Sequence, residues 1–335
     1  MVIGRTYEYI KDGIKYSSVF KAAEFLPEKS NVSSALSVPI LNNKVILVRQ
    51  SDTGWWDIPG GHLEAGEDYL GAAQREVEEE AGVSADNHRV IGYFEITSTI
   101  IDPEAKEVYA SPSMIVVTLS FVQKYISEWD YPQDINDRAL VSFKHLDDYL
   151  VGRGDNSQMK EVLLYAKKIL EEISVVYEFG FIKKDIDPSL PVTQVYGFCR
   201  DSKSGNFCLV RETGSDHFGL PGGGCEVGES PRGAFERELM EETQLKGENI
   251  RVVGATKIDM YLKDGKKHLQ TILQFRFYAD ILNIPDFVPN RDGFEIEERI
   301  FVPFSDLSAR VDWLKTEVGL LIINEINTIH GASIE

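Results

Sequence analysis

The stretch that decides the fold is residues 44–83, KVILVRQSDTGWWDIPGGHLEAGEDYLGAAQREVEEEAGV. It begins with a β-branched run typical of a strand, turns at Pro-Gly-Gly, and continues with apolar and charged residues spaced as on a helix. Residues 206–245 repeat the same order as NFCLVRETGSDHFGLPGGGCEVGESPRGAFERELMEETQL. The chain therefore contains two copies of one strand–turn–helix unit.

The two copies stay in register over a long distance. Gly61 corresponds to Gly223, an offset of 223 − 61 = 162, and the offset still holds where residues 89–92 (RVIG) meet residues 251–254 (RVVG). Solenoid repeats are much shorter, roughly 20 to 50 residues, so this repeat is a duplicated domain.

We predict two tandem domains, residues 1–172 and 173–335, of the α/β (α+β) class. Strand-like segments follow the helix in both copies, and each copy ends in an amphipathic helix, so each domain is a mixed sheet with helices packed on it. An N-terminal hairpin with Asp12-Gly13 at its tip is added to the first domain.

Composition limits the partners of the protein. The net charge of −19 argues against binding long nucleic acids, which needs clustered Lys and Arg. We see neither a secretory signal nor a run of roughly 18 to 20 apolar residues that could span a membrane. Cys199, Cys208 and Cys225 lack CxxC spacing and are predicted to be buried reduced thiols, which favours the cytoplasm.

Three glutamates of the first copy share one face of the predicted helix. Glu76, Glu79 and Glu80 lie at positions i, i+3 and i+4. Carboxylates this close repel one another, and a hard divalent cation such as Mg²⁺ or Mn²⁺ removes that penalty. We expect the carboxylates to face outward while an adjacent apolar stripe packs on the sheet, formed by Leu70, Ala73 and Val77.

The first copy resembles the Nudix box, Gx5Ex7REUxEExGU with U aliphatic, at every specified position from Gly61 to Val83. The second copy departs from it only at Gln244, which replaces a glycine. The resemblance extends to nearly the whole chain and implies mixed sheets sandwiched by helices, each with a loop–helix–loop box. It also implies metal-dependent hydrolysis of a diphosphate bond in a nucleoside diphosphate linked to another moiety, by metal-activated water.

The resemblance also implies roles for individual residues. Arg75 and Arg237 orient a box glutamate through an ion pair, and Glu67 and Glu229 support the metal site. The ligands of Mg²⁺ or Mn²⁺ are, in the first copy, Glu76, Glu79, Glu80 and the carbonyl of Gly60, and, in the second, Glu238, Glu241, Glu242 and the carbonyl of Gly222.

Residues outside the box are candidates for substrate binding or for completing the site, although each acidic one is equally a surface carboxylate. The acidic candidates are Asp134 and Asp137 in the first copy and Glu295, Glu297 and Glu298 in the second. Trp55 has no aromatic counterpart in the other copy, so it is the better candidate for stacking on a base. Trp56 and Phe218 are equivalent and favour core packing.

Two other functions remain open at this point. The protein could be a nucleotide-sensing module, or its first domain could be active while the second serves binding or dimerisation, and a homodimer is also open. Both copies retain the box glutamates, which favours an enzyme. Oxidised nucleotides, ADP-ribose, dinucleoside polyphosphates and nucleotide sugars all stay open as substrates, because specificity lies in variable loops.

The departure at Gln244 predicts a difference between the two helix ends. A glycine after a helix usually adopts a left-handed conformation, which costs a glutamine about 1 to 2 kcal/mol. We therefore expect the second helix to continue to Gly247, or, as the less favoured outcome, Gln244 to accept the left-handed conformation. Its start is predicted at Ser230-Pro231, and Asp68 is expected in the first turn of the first helix.

Overall fold

The computed structural model describes residues 2–28, 30–105, 111–126, 129–151, 156–263, 267–289 and 296–332. The chain divides into two compact units, the first Met1–Val176 with Tyr261–Gln270 and the second Tyr177–Met260 with Thr271–Glu335. The predicted domain ranges, 1–172 and 173–335, stay a prediction. In the described part of the chain, no helix combines the length and the apolar character that a bilayer crossing requires.

The described strands of the first unit form a mixed sheet of nine strands. They are β1 Val2–Lys11, β2 Ile14–Ala22, β3 Val32–Leu41, β4 Lys44–Gln50, β5 Trp56–Asp57, β6 Gly60–His62, β7 Val83–Ile100, β8 Ser113–Tyr125 and β9 Ile135–Ser142. Strands β3 and β8 are parallel, whereas β4 pairs antiparallel with both β3 and β9. The hairpin of β1 and β2 turns at Asp12 and Gly13, whose φ angles of 50° and 74° suit a type I′ turn.

The second sheet has seven described strands and repeats this plan. They are β10 Val175–Ile182, β11 Val192–Asp201, β12 Phe207–Glu212, β13 Gly222–Gly224, β14 Glu248–Leu262, β15 His268–Ile281 and β16 Ile296–Val302. Strands β11 and β15 are parallel, and β12 pairs antiparallel with β16. Both sheets are therefore mixed, as the sequence predicts.

Helices complete the predicted α+β class. They are α1 Tyr69–Ala81, α2 Leu146–Tyr149, α3 Asn156–Glu172, α4 Pro231–Thr243, α5 Leu307–Arg310 and α6 Glu317–Ala332. Helix α4 begins at Pro231 as predicted, with the Ser230 hydroxyl accepting a hydrogen bond from the Gly233 amide. Asp68 lies one position before the first turn of α1, as its N-cap, and accepts from the Gly71 amide at 2.8 Å.

The packing of α1 agrees with the expectation for Glu79, which is exposed, and for Ala73 and Val77, which are buried, but corrects it for the other two carboxylates and for Leu70. Glu76 and Glu80 are buried, with 8% and 6% of their surface exposed, whereas Leu70 is 38% exposed. Two small residues of the helix, Ala72 and Ala73, pack with Ala35 of β3. Because these short side chains bring the helix close to the sheet, the glutamates on its flank are covered.

The end of α4 shows that the favoured expectation for Gln244 was wrong. The helix ends at Thr243, and Gln244 adopts the left-handed conformation at φ 58° and ψ 26°. Its side-chain amide donates to the Val288 carbonyl at 2.8 Å and accepts from the Val288 amide at 3.1 Å. An extended helix would also withdraw Leu245, which is buried beside Leu239. These contacts compensate for the backbone strain, so the less favoured outcome is observed.

Candidate active sites

The Pro-Gly-Gly turn occupies the same place in both sheets. Gly61 pairs with Ala35 of β3, and Gly223 pairs with Val195 of β11. A Cβ atom at Gly61 would collide with the carboxylate of Glu76, and the matching atom at Gly223 would meet the equivalent glutamate of α4 in the same way. A larger residue at either position would therefore displace this carboxylate, because the turn and the helix carboxylate share this space.

A buried glutamate of each helix is bound to the backbone of this turn. The Gly60 amide donates to Glu80 at 3.0 Å, and the Gly222 amide donates to Glu242 at 2.8 Å. Burial raises the pKa of Glu80 to about 8 and that of Glu242 to about 8, and the glycine amides oppose this shift only in part. Each site thus contains a carboxyl group whose charge is poorly compensated.

Arg75 joins the remaining carboxylates of the first site. Its guanidinium donates to Glu67 through two hydrogen bonds of 3.1 Å, to Glu76 at 2.8 Å and to Glu79 at 3.0 Å. A further bond of 2.9 Å to the carbonyl of His62 fixes the arginine on the turn. Hydrogen bonding to Arg75 lowers the pKa of Glu67, whereas burial raises the pKa of Glu76.

Arg237 makes the same set of contacts in the second site. It donates to Glu229 at 3.0 and 2.9 Å, to Glu238 at 2.9 Å, to Glu241 at 3.0 Å and to the carbonyl of Gly224 at 2.9 Å. Its hydrogen bonds lower the pKa of Glu229, and burial raises the pKa of Glu238. The replacement of the box glycine by glutamine leaves this network intact.

The donor atoms of both sites suit a hard divalent cation. Among the described residues no group of three or more acidic, histidine or cysteine side chains already converges as a cation site, and Arg75 and Arg237 form ion pairs with the flanking carboxylates. The side chains nevertheless supply only carboxylate oxygens, the ligands that Mg²⁺ and Mn²⁺ prefer. A cation would also favour the charged forms of the buried Glu80 and Glu242. The residues therefore fit such an ion.

Further carboxylates influence the sites although the box does not contain them. The charges of Asp57 and Asp134 raise the pKa of Glu80, and the charge of Glu212 raises the pKa of Glu242. Asp134 was a nearby candidate in the sequence, but Asp57 and Glu212 were missed. These two residues carried no repeat signal, because Asp57 corresponds to Gly219 and Glu212 to Gln50 in the other copy.

The candidates after the box occupy equivalent strand positions. Asp137 lies opposite Arg49 on β9, and Glu298 lies opposite Arg211 on β16. Glu298 accepts from Arg211 at 3.1 and 2.8 Å. Among the described residues, no hydrogen bond or ion pair joins Asp137 or Glu298 to a box glutamate. Glu295 lies outside the described residues.

The aromatic candidates border cavities or pack on neighbours. Trp55 is 38% exposed and lines a cavity of about 400 Å³ in the first unit together with Asp57. Trp56 packs edge-on against Tyr149, with ring centroids 5.1 Å apart. Phe218 packs partly buried on the second core and also borders a cavity. The stacking role of Trp55 stays a prediction.

Comparison with known proteins identifies the class to which this fold and its paired sites belong. The model of the NUDIX domain matches residues 32–157 and 191–319, more than half of the chain. The chain therefore belongs to the Nudix family of hydrolases, with two matching segments in tandem.

Individual relatives are more distant. The Bacillus subtilis (strain 168) protein called uncharacterized Nudix hydrolase YvcI is 38% identical over 53 residues, which are 16% of this chain and 34% of that protein. The match thus spans about a third of that relative's length.

Solved structures resemble parts of the chain. The pyrophosphohydrolase BsRppH of Bacillus subtilis is 21% identical, with a TM-score of 0.35, over 45% of this chain and 90% of that chain. A NUDIX hydrolase from Nitrosomonas europaea is 21% identical, with a TM-score of 0.32, over 42% and 91% of the two chains. A C. elegans Ap4A hydrolase is 17% identical, with a TM-score of 0.29, over 42% and 98%.

Proposed function

We propose that each copy forms a metal-dependent site that hydrolyses the diphosphate bond of a nucleoside diphosphate linked to another moiety. The observation that carries this proposal is the identical arrangement of four glutamates, one arginine and one glycine amide in the two units. A surface of solvated charges would not need a buried carboxyl group held by the Pro-Gly-Gly turn in both copies.

The box residues divide into ligands and positioning residues. When bound, magnesium or manganese supplies neutralisation of the phosphate charge and activation of the attacking water. We assign its binding to Glu76, Glu79, Glu80 and the Gly60 carbonyl in the first unit, and to Glu238, Glu241, Glu242 and the Gly222 carbonyl in the second. Arg75 and Arg237 hold two of these carboxylates in place, and Glu67 and Glu229 fix the arginines from the other side.

The remaining properties support a small phosphorylated substrate. With a net charge of −19, the chain is poorly suited to long nucleic acids, and local neutralisation by a cation would still admit a small phosphate ester. We infer a cytoplasmic enzyme, because the three cysteines are free and buried. Nucleotide sugars, ADP-ribose, dinucleoside polyphosphates and oxidised nucleotides are the substrate classes to test.

Hydrolysis of a nucleotide panel with magnesium tests the proposal. We expect Glu79→Gln with Glu80→Gln to remove the activity of the first unit, and Glu241→Gln with Glu242→Gln that of the second. All four changes together should lower turnover at least about 100-fold, because even a change next to the ligands costs about 10- to 100-fold. Chelation with EDTA should have the same effect.

Glu78→Gln is the matched control, because Glu78 lies on the same helix and interacts with Gln74 at 3.2 Å. This variant should keep wild-type turnover. A folded quadruple variant with wild-type turnover would show that the sites are misassigned. Nucleotide binding without any hydrolysis by the wild type would instead favour a sensing module.

A further inference from the structure

A cavity of about 850 Å³ lies beside the box helix of the second unit. Gly222 and Glu242 line it on the side of the proposed metal site, and Arg276 of β15 lines it as well. Its volume is within the range of about 300 to 1,000 Å³ that is typical of small-molecule sites. The cavity can therefore hold the part of a substrate that extends away from the diphosphate.

Arg276 is an unusual residue to line such a cavity, because it is a buried cationic side chain. Only 4% of its surface is exposed, and its guanidinium lies 5.1 Å from the ring centroid of Tyr196 and 5.0 Å from that of Trp313. It donates to the Phe275 carbonyl at 3.2 Å and to the Gln274 side chain at 3.0 Å. Its Nε atom is buried without a hydrogen-bond partner among the described residues. The two rings fix the guanidinium while part of its donor capacity is unused.

Arg276 also has no ion pair in the described part of the chain, although the carboxylates of Glu212, Glu242 and Glu317 line the same cavity. Burial lowers the pKa of Arg276 to about 10. Burying a charge is costly unless an opposite charge accompanies it. A neutral carbonyl group could satisfy the free donor, but only an anion would balance the charge.

The equivalent position in the first unit has no cation. Leu36 pairs with the first glycine of its Pro-Gly-Gly turn, as Tyr196 does in the second unit. The parallel partner of Leu36 is Val117, whereas the parallel partner of Tyr196 is Arg276. Leu36 also lines the smaller cavity of about 400 Å³ in the first unit, together with Trp55 and Asp57. The two boxes are alike, but Arg276 lines the cavity of the second unit, whereas no Lys or Arg is among the described residues that line the cavity of the first.

We propose that the cavity of the second unit selects a diphosphate substrate whose distal moiety carries an oxyanion, with Arg276 as the specificity-determining residue. The diphosphate part of this statement rests on the proposed function. A guanidinium binds carboxylate and phosphate groups through paired hydrogen bonds, so both are sources of the oxyanion. The oxyanion belongs at Arg276 rather than at the proposed metal site, because the carboxylate of Glu242 at that site would repel it in the absence of a cation.

Two pairs of probes, each differing in one anionic group, test this inference in the full chain. UDP-glucuronate differs from UDP-glucose by a carboxylate, and NADPH differs from NADH by a phosphate. Glu79→Gln and Glu80→Gln remove the activity of the first unit, so that any measured hydrolysis comes from the second unit. We expect kcat/KM to be at least tenfold higher for the anionic member of one pair, and the pair that discriminates identifies the oxyanion.

Substitutions at Arg276 assign the preference to this residue. Arg276→Gln should lower the ratio of kcat/KM values to about one. Arg276→Lys keeps the charge but lacks the paired N–H donors of the guanidinium, so it should give an intermediate ratio. Arg251→Gln is the matched control, because Arg251 lies over the ring of Tyr278 at 4.6 Å and does not line the cavity. Thermal unfolding of each variant shows that it is folded.

Equal kcat/KM values within both pairs, or a ratio unaffected by Arg276→Gln, would overturn the inference. If none of the four probes is hydrolysed, calorimetric binding of the same probes with magnesium replaces kinetics. Preferential binding of an anionic member that depends on Arg276 would then support the selection of an oxyanion by the cavity, while contradicting the proposed hydrolysis. Absence of any preference in binding as well would overturn the assignment of the cavity.

Discussion

At the scale of single residues, burial and charge oppose each other at Glu80 and Glu242. Both carboxyl groups lie under the Pro-Gly-Gly turn, and each accepts one glycine amide. One such bond does not replace the hydration that burial removes, so the pKa of each rises to about 8. A bound cation would reverse this balance, which links the proposed metal site to the stability of the fold.

The first prediction is that the metal-free protein loses stability as the pH rises. The folded pKa of about 8 lies above the ordinary value of 4.5 for Glu80 and Glu242, so folding favours the protonated form. The resulting contribution is fully present below pH 4.5 and is lost as the pH rises through 8, at about 1.4 kcal/mol per unit of pKa difference. Denaturant unfolding in EDTA between pH 5 and 9 measures this loss.

Glu80→Gln and Glu242→Gln should flatten the same profile, because the amide stays neutral throughout. Magnesium should stabilise the wild type more at pH 9 than at pH 5. A wild type that is as stable in EDTA at pH 9 as at pH 5, with no effect of either variant, would contradict this explanation.

At the scale of secondary-structure elements, the surroundings of a helix end decide which residue can terminate it. Helices α1 and α4 both end in a left-handed residue, Gly82 and Gln244. A Cβ atom at Gly82 would collide with Trp129 and Arg138, so only glycine fits there. The end of α4 has room for a side chain, and Gln244 uses that room to bind Val288.

The second prediction follows from this difference. Gln244→Ala should lower the free energy of unfolding by about 1 to 2 kcal/mol, because the strain remains while the hydrogen bonds are lost. Gln244→Gly should cost about 1 kcal/mol less than the alanine variant, since glycine relieves the strain. Gly82→Ala should cost more than either, at least about 2 kcal/mol, because it adds a clash to the strain. Denaturation midpoints rank the three variants. Equal losses of unfolding free energy for Gln244→Ala and Gln244→Gly would show that the left-handed backbone at Gln244 is not strained.

At the scale of the whole molecule, duplication has preserved the box and altered what surrounds it. The contacts of Arg75 with three glutamates recur at Arg237 almost bond for bond. The cavity beside the second box contains Arg276 between two aromatic rings, while the first unit has Val117 at that position. Like boxes with unlike surroundings support our proposal that the second unit selects its own class of substrate.

The third prediction belongs to this scale and concerns the number of metal ions that the chain binds. If both units bind metal, replacing the glutamates of either box should remove half of the Mn²⁺ bound at saturation, and replacing both sets should remove all specific binding. Electron paramagnetic resonance of free Mn²⁺ measures the bound fraction. Full wild-type binding after loss of Glu241 and Glu242 would show that the second unit binds no metal through its box.

The sequence by itself determined the duplication, the mixed α+β class, and the glutamates on one face of each box helix. These properties follow from an ungapped offset and from helical spacing, both of which are local regularities that hold before any tertiary contact forms. It also located the start of α4 at Ser230 and Pro231, because capping depends on adjacent residues.

Only the tertiary structure decided which of these side chains are buried and what surrounds them. The burial of Glu80, the acceptance of strain at Gln244 and the pairing of Arg276 with Tyr196 and Trp313 each depend on residues far apart in the chain. The position of Arg276 between two phenylalanines in the segment TILQFRFYADI was the local sign of that last cluster. Its meaning came from packing, because burial removes water from a charge only where separate strands and helices close around it.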